Sequence, residues 1–116
     1  MATLDMNGPF RLNNETIDAQ VTRTSPGNYA LGDKNERGTF LVDYVGRSDD
    51  DVNGRLKKWV GKTSEPLFKF SYATSPKAAF EKECRNYHDF SPPSNTDHPD
   101  RPKGSDWKCP VCRKFD

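Results

Sequence analysis

The sequence predicts an α+β fold in which two strands, a helix, a third strand and a second helix precede a polar tail. Two stretches rich in β-branched and aromatic residues, 39–45 and 67–72, are typical of strands. Apolar residues at helical spacing after residue 51, and a Ser-Pro start at residue 75, predict the two helices. A Cys-x-x-Cys pair near residue 110 indicates a zinc knuckle. The predicted order is therefore β-β-α-β-α, with a zinc-bound tail after it.

Composition divides the chain into three segments. The first 15 residues show no regular spacing of hydrophobic residues and are interpreted as an N-terminal arm. Residues 16–90 are interpreted as the folded domain. Residues 91–116 are polar and rich in proline, so we expect a metal ion to hold this tail on the last helix. At the start of the domain, residues 17–23 alternate in the manner of an edge strand.

The three strands of the β-β-α-β-α order are separated by turn signals. The first begins at Tyr29, and a polar connection that closes with Gly38 leads into the second, at residues 39–45. The third, residues 67–72, alternates after Pro66. These signals predict a hairpin followed by a separate strand.

Both helices have start signals. The first begins near Val52 behind a run of N-cap oxygens, continues to Trp59 or Val60, and has Gly61 as its C-cap. The second has Pro76 at its first position and continues to about residue 88.

The composition favours a small protein with a modest core. Only 32% of the residues are hydrophobic and 30% are charged, and domains of this kind often need an added constraint. No apolar run approaches the ~20 residues of a membrane helix, and no signal-peptide pattern is present. We therefore expect a soluble, cytoplasmic protein.

Positive charge is concentrated after residue 46. Residues 47–116 carry 14 Lys and Arg against 11 Asp and Glu, whereas residues 1–46 carry four against six. Such a distribution is suited to contacts with phosphates, although a solvated helix face has the same appearance. The predicted nucleic-acid-binding residues are Arg47, Lys57, Lys58 and Lys62.

The three cysteines predict a structural zinc site. An odd number of cysteines argues against a secreted disulfide framework. Cys84 and His88 lie four residues apart on the second predicted helix, and therefore on one face of it. With Cys109 and Cys112 they supply four ligands of the kind that Zn²⁺ prefers. His98 is the alternative to His88, and a pair of buried apolar thiols is the alternative to a metal site.

Two tripeptides, Gly27-Asn28-Tyr29 and Tyr44-Val45-Gly46, place a phenol beside a glycine in adjacent predicted strands. Together with the strand and helix order, this resembles the GIY-YIG nuclease family over residues 27–88. The resemblance implies a three-stranded antiparallel sheet flanked by helices. It also implies that Tyr29 and Tyr44 lie side by side in an active site.

The same resemblance implies two further catalytic residues. Arg55, on the first helix, would stabilise charge on the scissile phosphate. Glu81, on the second helix, would hold a catalytic Mg²⁺ or Mn²⁺, with Glu83 as the alternative.

The implied function is metal-dependent hydrolysis of DNA phosphodiester bonds. The alternative is an inactive module of the same fold that binds nucleic acid or a protein partner. A small zinc-ribbon adaptor, in which the tripeptides are coincidental, is a third interpretation.

Overall fold

Four antiparallel strands and three helices form the fold in the computed structural model, which describes residues 3–116. Met1 and Ala2, the start of the predicted arm, lie outside the described residues. The elements are β1 (Asn7–Arg11), α1 (Asn14–Gln20), β2 (Gly27–Lys34), β3 (Phe40–Ser48), α2 (Val52–Trp59), β4 (Leu67–Tyr72) and α3 (Pro76–Phe90). Among residues 3–116, no helix has the length and hydropathy needed to cross a bilayer. The α+β class and the antiparallel sheet predicted from the sequence are confirmed.

The sheet has the strand order β1-β4-β2-β3, so the predicted number of three strands is wrong by one. The additional strand is β1, which pairs with β4 at one edge and lies within the segment interpreted as an arm. Its register shifts between Asn7 and Phe10, and this irregularity hides the alternation that identifies a strand. Phe10 nevertheless packs against Phe68 and Phe70, which fixes β1 to the sheet.

Residues 14–20 form the helix α1, so the edge strand predicted at 17–23 is wrong. The Asn13 side chain accepts a hydrogen bond from the backbone N–H of Thr16 at 2.7 Å and caps the helix. Ile17 and Val21 are both buried, and their spacing of four residues also fits a helix face. The short stretch 17–23 is compatible with the two-residue period of a strand and with the 3.6-residue period of a helix. The N-cap at Asn13 favours the helix.

A hydrophobic core lies between the sheet and the helices α1 and α2. Ile17 from α1 meets Val52 and Leu56 from α2, and all three are fully buried against Leu31 and Phe68 of the sheet. This packing fixes α2, which carries Arg55, against the face of the sheet that holds Tyr29.

The helix α3 packs against β2 and β3. Ser75 caps it by accepting a hydrogen bond from the N–H of Ala78 at 3.1 Å, and Pro76 occupies its first turn as predicted. The helix ends at Phe90, and its C-cap, Ser91, is in the left-handed region at φ 42°. It therefore extends slightly beyond the expected residue 88.

The tail, residues 91–116, contains no helix or strand and docks on β3 and α3. Asn95 binds the free edge of β3, since its side chain accepts from the N–H of Val45 at 2.8 Å and donates to its carbonyl at 2.9 Å. Two tail aromatics, Trp107 and Phe115, lie against Phe80 of α3 with ring centroids 5.9 Å away in each case. The tail thus closes a sheet edge and also buries apolar surface.

Candidate functional site

Tyr29 and Tyr44 project from neighbouring strands onto one face of the sheet. Tyr29 of β2 lies opposite Gly46 of β3, and Leu31 lies opposite Tyr44. Residues directly opposite each other, and residues two apart on one strand, share a face. The two phenol rings consequently lie side by side, with their centroids 6.2 Å apart.

The glycines of the two tripeptides leave room that a side chain would fill. A Cβ at Gly46 would lie 2.5 Å from both Oη and Cζ of Tyr29, and a Cβ at Gly27 would lie 2.4 Å from the carbonyl oxygen of Ser71. Neither position tolerates another residue without movement of its neighbours. Gly46 therefore creates the space in which the Tyr29 phenol lies.

Trp59, at the end of α2, holds the two tyrosines in place. Its Nε1–H donates a hydrogen bond to the Tyr29 hydroxyl at 2.8 Å, and its ring centroid lies 5.0 Å from that of Tyr44. Tyr29 is 1% exposed, whereas Tyr44 is only half-buried. Tyr44 is thus the phenol of the pair that a ligand can reach. Neither contact of Trp59 was expected from the sequence.

Burial raises the pKa of both tyrosines. For Tyr29 the hydrogen bond from Trp59 opposes the rise. For Tyr44 the negative charge of Glu83 raises the pKa further, and the positive charge of Arg55 lowers it. Both hydroxyls are therefore protonated near neutral pH and act there as hydrogen-bonding groups.

Arg55 lies on the same side of the sheet as the tyrosines, whereas Glu83 lies on the other side. Arg55 is exposed on α2, and its positive charge acts on both phenols. Glu83 belongs to α3, which packs on the opposite face of the sheet, where the Asn28 side chain donates a hydrogen bond to the carbonyl oxygen of Ala79 at 2.8 Å. The expected Glu81 is on the same helix, so neither glutamate shares a face of the sheet with the tyrosines.

Arg47, expected to bind nucleic acid, is instead part of an internal ion-pair network. Its side chain is 12% exposed, its Nη1 lies 2.6 Å from Oε1 of Glu83, and its Nε lies 2.8 Å from Oδ1 of Asp49. The guanidinium also lies over the Phe80 ring, 5.1 Å from the centroid. Burial raises the pKa of Glu83, and the charge and hydrogen bonds of Arg47 oppose that rise.

The remaining basic residues lie on and after α2. Lys57 pairs with Asp18 of α1 at 2.5 Å, whereas Lys58 and Lys62 are exposed. Beside them is an open cleft of about 300 Å³. It is lined by Ser48, Asp50, Asp51, Gly54, Arg55 and Lys58.

A second group of polar side chains could hold a metal ion. The ligand atoms of His88, His98, Cys109 and Cys112 all lie within 4.8 Å of one another. The two imidazole Nε2 atoms are 3.2 Å apart, and Sγ of Cys112 is 3.3 Å from Nε2 of His98. Two nitrogen and two sulfur ligands in this compact arrangement fit tetrahedral Zn²⁺.

This set differs from the expected one because His98 takes the position assigned to Cys84. The Nδ1 of His98 lies 2.8 Å from the carbonyl oxygen of Pro99, a contact that directs Nε2 toward the other ligands. Both histidines, treated as alternatives from the sequence, are thus in the group. His98 is in a loop, so no sequence periodicity could place it.

Cys84 lies beside the group in an apolar environment. It is fully buried with Phe80 and contacts Cys109, and burial raises the pKa of its thiol. Burial also raises the pKa of Cys109, but hydrogen bonds from the backbone N–H groups of Val111 and Cys112 outweigh it and lower that pKa to about 6. Cys109 is therefore the better thiolate ligand of the two.

Comparisons of this chain with protein-family models, with curated proteins and with solved structures gave no match.

Proposed function

We propose that this protein is a GIY-YIG-like endonuclease that hydrolyses DNA phosphodiester bonds with Mg²⁺ or Mn²⁺. The observation that supports this most is the placement of Tyr29, Tyr44 and Arg55 on one side of the sheet, contributed by two strands and α2. Two phenols and a guanidinium are groups that can orient water and bind a phosphate.

In this proposal the half-buried Tyr44 orients the attacking water. Its hydroxyl is protonated at neutral pH, so it accepts a hydrogen bond from the water and positions it for in-line attack. Arg55 is exposed, and its planar guanidinium binds two phosphate oxygens as negative charge grows on them. Tyr29, held by Trp59, fixes the position of Tyr44 rather than contacting substrate.

The carboxylates of α3 do not fit a metal site beside Tyr44. Glu83 is 8% exposed, and its Oε1 pairs with Arg47 on the other face of the sheet. Glu81 lies on the same helix. No step of the hydrolysis is therefore assigned to either residue, and a Mg²⁺ or Mn²⁺ ion, where bound, would supply Lewis-acid stabilisation of the phosphate charge.

We further propose that His88, His98, Cys109 and Cys112 bind a structural Zn²⁺. Four protein ligands leave no open coordination position, so this ion would take no part in the hydrolysis. It would fasten the tail to α3, the helix that carries Glu83. Reduced thiols are needed for such a site, which agrees with the expected cytoplasmic location.

The same geometry also favours a second candidate, a non-catalytic module that binds nucleic acid or a protein partner. Asp50 and Asp51 line the cleft beside Arg55 and would repel phosphate, and Arg47 already occupies one oxygen of Glu83. In this alternative the exposed Lys58 and Lys62 make the phosphate contacts.

Nicking of supercoiled plasmid DNA by zinc-loaded protein in Mg²⁺ distinguishes the two candidates. The endonuclease proposal predicts nicking that chelation of Mg²⁺ removes and that Tyr44→Phe and Arg55→Ala reduce by about 10²-fold or more. Arg85→Ala is the matched control for Arg55→Ala, because the Arg85 side chain is exposed on α3 and residues 3–116 give it no polar partner. DNA binding without any nicking would leave the binding module as the better proposal.

A further inference from the structure

Two residues of the tail, Ser94 and Asn95, bind the outer edge of β3 on both sides of Tyr44. The N–H of Ser94 donates to the carbonyl oxygen of Asp43 at 2.9 Å, and its Oγ donates to Oδ2 of Asp43 at 2.7 Å. The Asn95 side chain accepts from the N–H of Val45 at 2.8 Å and donates to its carbonyl oxygen at 2.9 Å. Four hydrogen bonds therefore hold the chain immediately before and after Tyr44.

The rest of the sheet holds this part of β3 less completely. β3 is at one end of the strand order β1-β4-β2-β3, so among residues 3–116 no strand pairs with its outer edge. Its pairing with β2 also skips Asp43, since Leu31 lies opposite Tyr44 and Gly32 lies opposite Val42. An extra residue of this kind bends a strand and redirects the neighbouring side chains. The direction of the Tyr44 phenol thus depends on how the backbone beside it is held.

Both ends of the tail segment 91–98 are tied to α3. The segment begins directly after the helix, and the N–H of Asn95 donates to the carbonyl oxygen of Pro92 at 3.1 Å. At the other end of the segment, Nε2 of His98 lies 3.2 Å from Nε2 of His88 on the helix. A zinc ion bound by both histidines would close the segment into a short loop and so restrict the positions open to Asn95.

We propose that Ser94 and Asn95 form a clamp that positions Tyr44 through the backbone of β3, and that zinc bound at His98 keeps this clamp in place. The inference rests on the proposed function, in which Tyr44 orients the attacking water and His98 is a zinc ligand. Asn95 is a positioning residue, because it touches the backbone beside Tyr44 and not the reacting atoms. The zinc ion, which takes no part in the hydrolysis, would thus set the position of a residue that does.

NMR spectra of the zinc-saturated protein without DNA test the clamp. In Asn95→Ala the Val45 amide should exchange with solvent about tenfold faster or more, because it loses its hydrogen-bond acceptor. The ring resonances of Tyr44 should shift in the same variant. Asn14→Ala, at an exposed position on α1, is the matched control and should change neither. Unchanged Tyr44 resonances in Asn95→Ala would overturn the clamp.

Removal of zinc with a chelator separates an effect through Asn95 from a general one. In the wild type it should shift the same Tyr44 resonances and expose the Val45 amide, while the amides of the central strand β4 stay protected. In Asn95→Ala it should add little, because the link to β3 is already broken. An equal shift of Tyr44 in both proteins, or no shift in the wild type, would overturn the coupling to zinc. Loss of protection throughout β4 would overturn it as well, because zinc would then act on the stability of the whole domain.

Plasmid nicking separates failure of the clamp from failure of the proposed function. If the wild type nicks DNA, zinc-saturated Asn95→Ala should have a kcat lower by about tenfold or more and a KM for DNA near that of the wild type, because Tyr44 is displaced and no DNA contact is lost. An unchanged kcat would overturn the clamp. If the wild type nicks no DNA, the proposed function fails, and the resonances of Tyr44 and Val45 still decide whether the clamp exists.

Discussion

Substitution of Gly46 by alanine tests the packing that places the two tyrosines. The added Cβ would lie 2.5 Å from both Oη and Cζ of Tyr29, a residue that is 1% exposed. Overpacking of this kind costs about 1–3 kcal/mol. Displacement of the phenol would also break the 2.8 Å hydrogen bond from Trp59, worth about 0.5–1.5 kcal/mol.

Gly46→Ala should therefore lower the free energy of unfolding by about 1.5–4.5 kcal/mol. At this chain length 1 kcal/mol corresponds to roughly 4 °C in Tm, so a fall of about 6–18 °C is expected. Chemical denaturation followed by tryptophan fluorescence measures the free energy, and calorimetry measures Tm. The indole of Trp59 also reports directly on its contact with Tyr29.

Gly54→Ala in α2 is the matched control. Its new Cβ would meet only the flexible side chain of Asp51, with Oδ2 at 2.9 Å. Because alanine favours a helix by about 1 kcal/mol over glycine, this variant should be as stable as the wild type or more stable. A Gly46→Ala protein with wild-type stability would refute the packing argument.

A double-mutant cycle identifies the responsible contact. Tyr29→Phe removes one of the two closest atoms and the hydrogen bond that fixes the ring, so the ring can shift. Gly46→Ala should then cost less in the Tyr29→Phe background, with a coupling energy of about 0.5–3 kcal/mol. Strict additivity would place the cost of Gly46→Ala elsewhere in the fold.

Two further predictions concern the zinc ligands and the charges around Tyr44. Cys112→Ser should lose bound zinc and, with it, the ordered tail. Cys84→Ser should keep close to one zinc per chain, because His98 and not Cys84 lies in the ligand group. Elemental analysis measures the zinc content of both variants, and loss of zinc in Cys84→Ser alone would contradict the ligand set. Glu83→Gln should lower the pKa of Tyr44, because it removes a negative charge that disfavours the phenolate. Arg55→Ala should raise the pKa of Tyr44, because it removes a positive charge that favours the phenolate. Absorbance titration of the phenolate, with Tyr44→Phe to assign the transition, measures both shifts, and shifts of the same sign would contradict the arrangement of charges.

The sequence predicted the parts of the site that local pattern determines. Tyr29 and Tyr44 were identified through the resemblance of the two tripeptides to the GIY-YIG family, and the register of the paired strands brings the two phenols together. The helix positions of Arg55 and the Cys109–Cys112 knuckle also follow from local spacing. The structure brings the rings of Tyr29 and Tyr44 side by side and includes Cys109 and Cys112 in the possible metal-binding group.

The remaining parts depend on long-range packing. Glu81 and Glu83 fit the same local pattern, but α3 packs on the face of the sheet opposite the tyrosines, and no local pattern shows on which face a helix packs. The pairing of Arg47 with Glu83 joins residues 36 apart in sequence. His98 enters the metal group through a loop without regular structure, so no periodicity predicts its position.

The rate of plasmid nicking by Arg55→Ala, compared side by side with that of Arg85→Ala, tests the central claim most directly. Both substitutions remove one exposed guanidinium, but only Arg55 lies on the side of the sheet that carries Tyr29 and Tyr44. The account predicts that Arg55→Ala reduces Mg²⁺-dependent nicking by about 10²-fold or more and that Arg85→Ala nicks at the wild-type rate. Loss of nicking in Arg85→Ala with full activity in Arg55→Ala would contradict it.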